Sequence, residues 1–241
     1  MTDLSENILY ETYSEWSSKN WEKINEVHSQ DIDDLLKYFD CLDKWYSLIP
    51  NDEITTKIFP EITTDSYMSI NFACMGLYKY AYMALRSELE NVLKLIYFKK
   101  HEVEYECWIN DIKFSPNNKG THVWGEKFDY FKFIPEIRNF KEKELLIKEI
   151  NENYGNLSKS IHSRAFNLQT AKGKMAPSYQ IDLFNIWKRK YCEIHGIINI
   201  LFILTNLNIF SNSDDIKKQN ILQHIQFGQL NRIRGELKQI I

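Results

Sequence analysis

The sequence predicts an all-α protein, and two observations carry the expectation. Chain-breaking residues are scarce, with eight Gly and five Pro in 241 residues, and apolar residues recur at three- and four-residue intervals over long stretches. A sandwich or barrel of this length needs many tight turns, and hence more Gly and Pro than the chain holds. Hydrophobic residues make up 44% and charged residues 26%, a balance that supports a buried core and argues against a mainly disordered chain.

Residues 4–27 carry Trp16, Trp21 and Ile24 among charges and read as a peripheral amphipathic helix. Ser29 is placed to cap a second helix reaching residue 49. Its Ile32, Leu35, Leu36, Phe39, Leu42 and Trp45 keep helical spacing until Pro50 and Asn51 stop it. Residues 51–67, with two Thr pairs and Pro60, read as an irregular crossing segment. The strongest pattern covers residues 67–100, where Leu77, Ala81, Leu85, Leu89, Val92 and Ile96 form one stripe, and it predicts a central helix.

Between residues 108 and 131 the character changes. Pro116, Asn117, Asn118, Lys119 and Gly120 separate aromatic and β-branched stretches, which gives either a long irregular insertion or a short hairpin. A helix over residues 141–165 follows, with Ile147, Ile150, Tyr154, Leu157 and Ile161 on its buried side. A loop containing Gly173 and Pro177 leads to a helix over residues 181–207, apolar on most faces beyond Ile194 and therefore central. From Ser211 the chain ends in a basic amphipathic tail, one helix or two short ones, bearing Lys217, Lys218, Arg232, Arg234 and Lys238. The expected organisation is six or seven helices: flanking helices in residues 1–66, a helical core in 67–210 and a loosely attached tail in 211–241.

Several function classes drop out. A net charge of −3 provides no global positive field to draw in a polyanion. The most apolar run, residues 194–210, is interrupted by His195, Gly196, Asn199 and Asn206 and is shorter than the roughly 20 apolar residues a span requires. No membrane partner is expected. Cys41, Cys74, Cys107 and Cys192 show no paired spacing, and the first sixteen residues lack the basic-then-apolar signature of a signal peptide, so a reducing cytoplasmic setting is expected. There is no phosphate-binding Gly-rich loop, no Gly-x-Ser-x-Gly elbow and no His-x-x-x-His pair. Neither a cofactor nor a metal site is expected.

What remains is the stretch YGNLSKSIHSRAFN. Tyr154, Ser158 and His162 stand four apart along one helical line, placing an imidazole where a leucine would pack better. The partner expected for that line is the helix containing ALRSELENVLKLIYF, where Arg86 and Glu90 stand four apart on the border of the apolar stripe. Arg164 follows His162 closely. A second Arg-to-His spacing runs from Arg189 to His195, which leads into the apolar helix, where His195 also reads as a packed, hydrogen-bonded core histidine.

The Arg86-x-x-x-Glu90 helix followed by Tyr154-x-x-Leu157-Ser158-x-x-Ile161-His162 resembles divergent bacterial members of the HEPN superfamily, all-helical domains frequent in phage-defence and toxin systems. The resemblance covers about residues 67–210 and implies a HEPN-like helical bundle. Catalytic members are metal-independent RNases with an Arg, four to six residues, then His, used across a homodimer interface. His162 matches that histidine, whereas Gly155, Asn156 and Leu157 occupy the three places open to the arginine. The resemblance therefore implies catalytic roles for His162 and Arg86, or for the literal match Arg189 and His195, with Glu90, Tyr154, Ser158 and Arg164 at the substrate. Imidazole supplies the acid or base, and guanidinium the phosphorane-stabilising charge. The alternative is a non-catalytic helical regulatory or assembly subunit in a hetero-complex, with six Trp and fourteen Tyr available for a partner surface.

Overall fold

The structure is a computed structural model and describes residues 3–111, 134–161, 179–225, 228 and 230–240. Among them the chain is all-helical, with ten helices and no strand. The insertion expected between residues 108 and 131 falls largely outside the described residues.

Helix α1 spans Asp3–Leu48 and absorbs both helices expected in this region, with a kink at His28, whose φ of −132° and ψ of 22° are not helical. The kink sits one residue before the expected cap at Ser29. It is held from the side: His28 Nδ1 lies 2.5 Å from Asp31 Oδ2, and the ring packs at 4.6 Å between centroids on Phe184.

The segment expected to cross irregularly is instead helix α2, Glu53–Cys74, which Asp52 caps by accepting from the Thr55 amide at 2.8 Å. Pro60 lies inside it. An interior proline costs about 3 kcal/mol, but Ile54, Ile58, Phe59 and Ile62 of the same helix are buried, each contributing about 1.5–3 kcal/mol. Tertiary burial outweighs the local penalty.

The helix expected over residues 67–100 is two. Helix α2 stops at Cys74 and α3 begins at Tyr78, running to Phe98. Gly76 takes φ +72° between them, and the Leu77 amide reaches back to Phe72 O at 2.7 Å, the hydrogen bond that closes a left-handed helix terminus. The turn folds α3 back antiparallel on α2, so that Ser69 Oγ donates to Ala81 O and Asn91 Nδ2 to Asp65 Oδ2.

Short helices α4 (Glu102–Ile109) and α5 (Pro135–Arg138) flank the undescribed stretch, and α6 spans Lys143–Ile161. Helix α7, Ile181–Thr205, is buried on nearly every side from Ile194 to Leu204, as expected of a central helix. It is followed by α8 (Leu207–Ser211), α9 (Asp215–Gln223) and α10 (Leu230–Ile240). One continuous core runs from Ile24 to Leu237 through Trp45, Phe59, Leu89, Ile150, Trp187 and Phe202. The tail is part of it. Leu230, Ile233 and Leu237 are buried, and Leu230 packs over Gly196 so closely that a Cβ there would stand 2.8 Å from its Cδ1. No helix among the described residues is long and apolar enough to cross a membrane.

Candidate functional site

Helices α3 and α6 pack side by side, bringing Tyr154 to the Arg86–Glu90 pair. Arg86 Nε donates to Glu90 Oε1 at 2.9 Å, its Nη2 donates to the Tyr154 hydroxyl at 2.8 Å, and that hydroxyl donates to the same Glu90 oxygen at 2.8 Å. The guanidinium carbon also lies 4.9 Å from the centre of the Tyr154 ring, a cation–π distance. The result is a closed three-membered ring of polar groups in a shallow notch, with the Arg86 and Glu90 side chains 19% and 21% exposed.

The electrostatics follow from this geometry. Burial opposes the charge on Arg86, but Glu90 and Tyr154 outweigh it and its pKa is raised. The Tyr154 pKa is also raised, by burial first and by the Glu90 carboxylate second, with Arg86 opposing. Ser158, one turn farther along α6, is half-buried. His162 and Arg164 lie outside the described residues, immediately after the last described turn of α6.

The other Arg–His pair is not brought together. Six residues along a helix correspond to a separation of about 120° around its axis; Arg189 is exposed, while His195 is 1% exposed in the core. His195 cannot meet an RNA phosphate where it sits, because its partners are internal. Its Nε2 lies 3.0 Å from Ser66 Oγ and 3.1 Å from Glu88 Oε1, and Ser66 Oγ pairs with the Tyr191 hydroxyl at 2.7 Å. The Tyr191 ring packs at a tilt against the imidazole, 4.2 Å between centroids. The Tyr191 pKa is raised well above its ordinary value, by burial and then by Glu88.

Glu88 is fully buried, and although its Oε1 approaches His195, neither carboxyl oxygen completes a well-aligned hydrogen bond. Ser66, Glu88 and Tyr191 escape a motif search because they come from three helices. One signal is readable in retrospect: Glu88 lies three residues after Leu85 and four before Val92, inside the apolar stripe of α3. Tyr191, His195 and Asn199 likewise stand four apart on α7, and Asn199 Oδ1 accepts from Trp45 Nε1 at 2.8 Å.

No group of three or more His, Cys, Asp or Glu with metal-binding geometry occurs among the described residues. Cys41, Cys74 and Cys192 are buried, and burial pushes their thiols up to about 12, 12 and 11. They do not provide nucleophiles at neutral pH.

Fold and site together define an all-helical protein with a half-open Arg–Glu–Tyr cluster on its surface and a sealed Ser–His–Glu–Tyr cluster at its centre. Comparison of the chain with protein-family models, with curated proteins and with solved structures yields no match.

Proposed function

We propose that the protein is a HEPN-type helical effector, of the kind that resemblance assigns to bacterial defence and toxin systems, and that the α3–α6 notch acts on RNA phosphates. The observation that supports this reading is the Arg86–Glu90–Tyr154 ring, which holds the Tyr154–Ser158 face of α6 against a guanidinium on α3. His162 continues that face in sequence. In the mechanism, His162 removes the 2′-hydroxyl proton or protonates the leaving oxygen, and Arg86 turns from Glu90 to the phosphate as charge builds on the phosphorane. A two-fold dimer supplies the second acid–base group.

The test is incubation of the purified protein with total tRNA and mRNA in EDTA. The reading requires cleavage that His162→Ala abolishes and that Arg86→Lys reduces at least about tenfold, since lysine lacks the planar fork. Cleavage retained by His162→Ala removes that residue from the mechanism.

A second reading, a non-catalytic regulatory or assembly subunit, draws on one observation: Glu90 already offsets the Arg86 charge, so that phosphate must compete with an internal carboxylate. Absence of cleavage by wild type, together with co-purification of a stoichiometric protein partner from native cells, favours it.

A further inference from the structure

Away from the α3–α6 notch, the end of α1, the start of α2, the ends of α3 and α7, and α4 line a half-open cavity of about 490 Å³. This lies within the range of small-molecule sites. Part of its lining is apolar, including Ile49, Ile54, Leu95, Ile96 and Phe202.

Its charge is unbalanced. Asp52 is matched by Lys99 at 3.2 Å and Glu53 by Lys57 at 2.9 Å, while Lys100, the other lysine of the lining, is directed to Glu136 at 3.6 Å. Glu102 and Glu106, one turn apart on α4, have no ion-pair partner among the described residues. Glu102 is in the first turn, where the helix dipole favours an acid. Glu106 is in the second half of this eight-residue helix, where the dipole disfavours one, and the last turn carries no basic side chain. The C-terminal end of α7 reaches the cavity at Thr205 and Asn206, and its last turn is also without a basic residue. Lys57 lies near enough to Glu106 to offset part of its charge, but the four acids of the lining outnumber its two lysines, and the cavity is net negative.

A second observation is independent of the acids. Tyr105 lines the cavity and is only 2% exposed, and its hydroxyl has no well-aligned hydrogen-bond partner. Burial raises the phenol's pKa, with Lys57 opposing and Glu53 and Glu106 adding to it; Glu53 is the carboxylate that approaches the hydroxyl, without a well-aligned hydrogen bond. A buried hydroxyl left in this state costs stability, and a ligand group arriving in the cavity would satisfy it.

We propose that this cavity binds a small organic ammonium ion, its aromatic or alkyl body against the apolar part of the lining and its head donating to Glu106 and to the Tyr105 hydroxyl. The ammonium N–H groups match acceptor-only carboxylates and the phenol oxygen, which in turn donates to Glu53. The site requires neither the RNA reading nor the α3–α6 notch, and its test is separate from theirs.

The test uses the full chain and two probes that share a body and differ in the sign of the head: tryptamine and indolepropionate. Isothermal titration near neutral pH is expected to show saturable binding of tryptamine and none of indolepropionate. Glu106→Gln, at an exposed position, is expected to weaken tryptamine about tenfold, and Tyr105→Phe, which keeps the buried ring, by a similar factor. Circular dichroism checks that both variants retain the fold, and if Tyr105→Phe does not, Glu106→Gln decides alone. Equal binding of both probes, absence of tryptamine binding to wild type, or unchanged binding by Glu106→Gln overturns the proposal.

Discussion

The sealed cluster at the centre of the fold allows a quantitative test. Replacing His195 with phenylalanine keeps a ring against Tyr191, 4.2 Å away between centroids, and edge-on to Tyr38 at 5.9 Å, but it removes both nitrogens. Glu88, fully buried and without a well-aligned hydrogen bond, then loses the imidazole 3.1 Å from its Oε1. Stranding one member of such a pair costs about 3–5 kcal/mol. At about 2–4 °C per kcal/mol for a chain of this size, Tm falls by roughly 6–20 °C. The reverse change is milder: Glu88→Leu leaves the imidazole with Ser66 Oγ at 3.0 Å, and about 1–2 kcal/mol is expected. In Glu88→Leu with His195→Phe no stranded carboxyl remains, so the double variant is expected to be at least about 2 kcal/mol more stable than the sum of the single losses predicts. Urea unfolding, followed by far-UV circular dichroism and tryptophan fluorescence, measures all four proteins. Buried Trp45 and Trp187 report on the same core. Strictly additive losses would refute the claim that Glu88 depends on His195.

Asp65 provides a pH test, since its pKa is pushed up to about 6, chiefly by burial and further by Glu88 and Glu61, with Ser87 and Asn91 opposing. Below the unfolded value near 3.8 both states are protonated and the group contributes nothing; as pH rises from about 4 to about 6 the unfolded chain releases the proton first, so stability falls and stays reduced above 6. Asp65→Asn is expected to flatten that decline, gaining about 1–2 kcal/mol at pH 8 after allowance for solvent screening and little at pH 4, as urea titrations at the two pH values would show. Iodoacetamide followed by intact-mass measurement is expected to label Cys107, which is half-buried, well before Cys41, Cys74 and Cys192, whose thiols are held protonated by burial. Rapid labelling of all four in the native protein would contradict the burial described here.

The polar clusters differ in how far sequence reasoning reaches them. Arg86 and Glu90 are legible as a pair because helical geometry alone sets residues four apart on one face. That Tyr154 completes the ring depends on α6 lying along α3, which local spacing suggests but does not enforce. His195 reads from the sequence either as a partner for Arg189 or as a core histidine of an apolar helix, and packing decides for the second, turning it inward to Ser66 and Glu88, from two other helices. Arg189 is left in solvent.

The amino-acid sequence by itself determined the helical class, the amphipathic character of α6 and the burial of α7, because a 3.6-residue apolar period and a scarcity of Gly and Pro are properties of the chain before it folds. Tertiary structure decided the rest. Pro60 and its neighbouring threonines argue locally against a helix, yet the core recovers more from Ile54, Ile58, Phe59 and Ile62 than the proline costs. The stripe through residues 67–100 passes over Gly76 without interruption, although the left-handed turn there folds α3 back on α2. Periodicity reports which face of a segment prefers to leave water; which other segment receives that face, and which polar groups are sealed in with it, is settled only when all the helices compete for the same core.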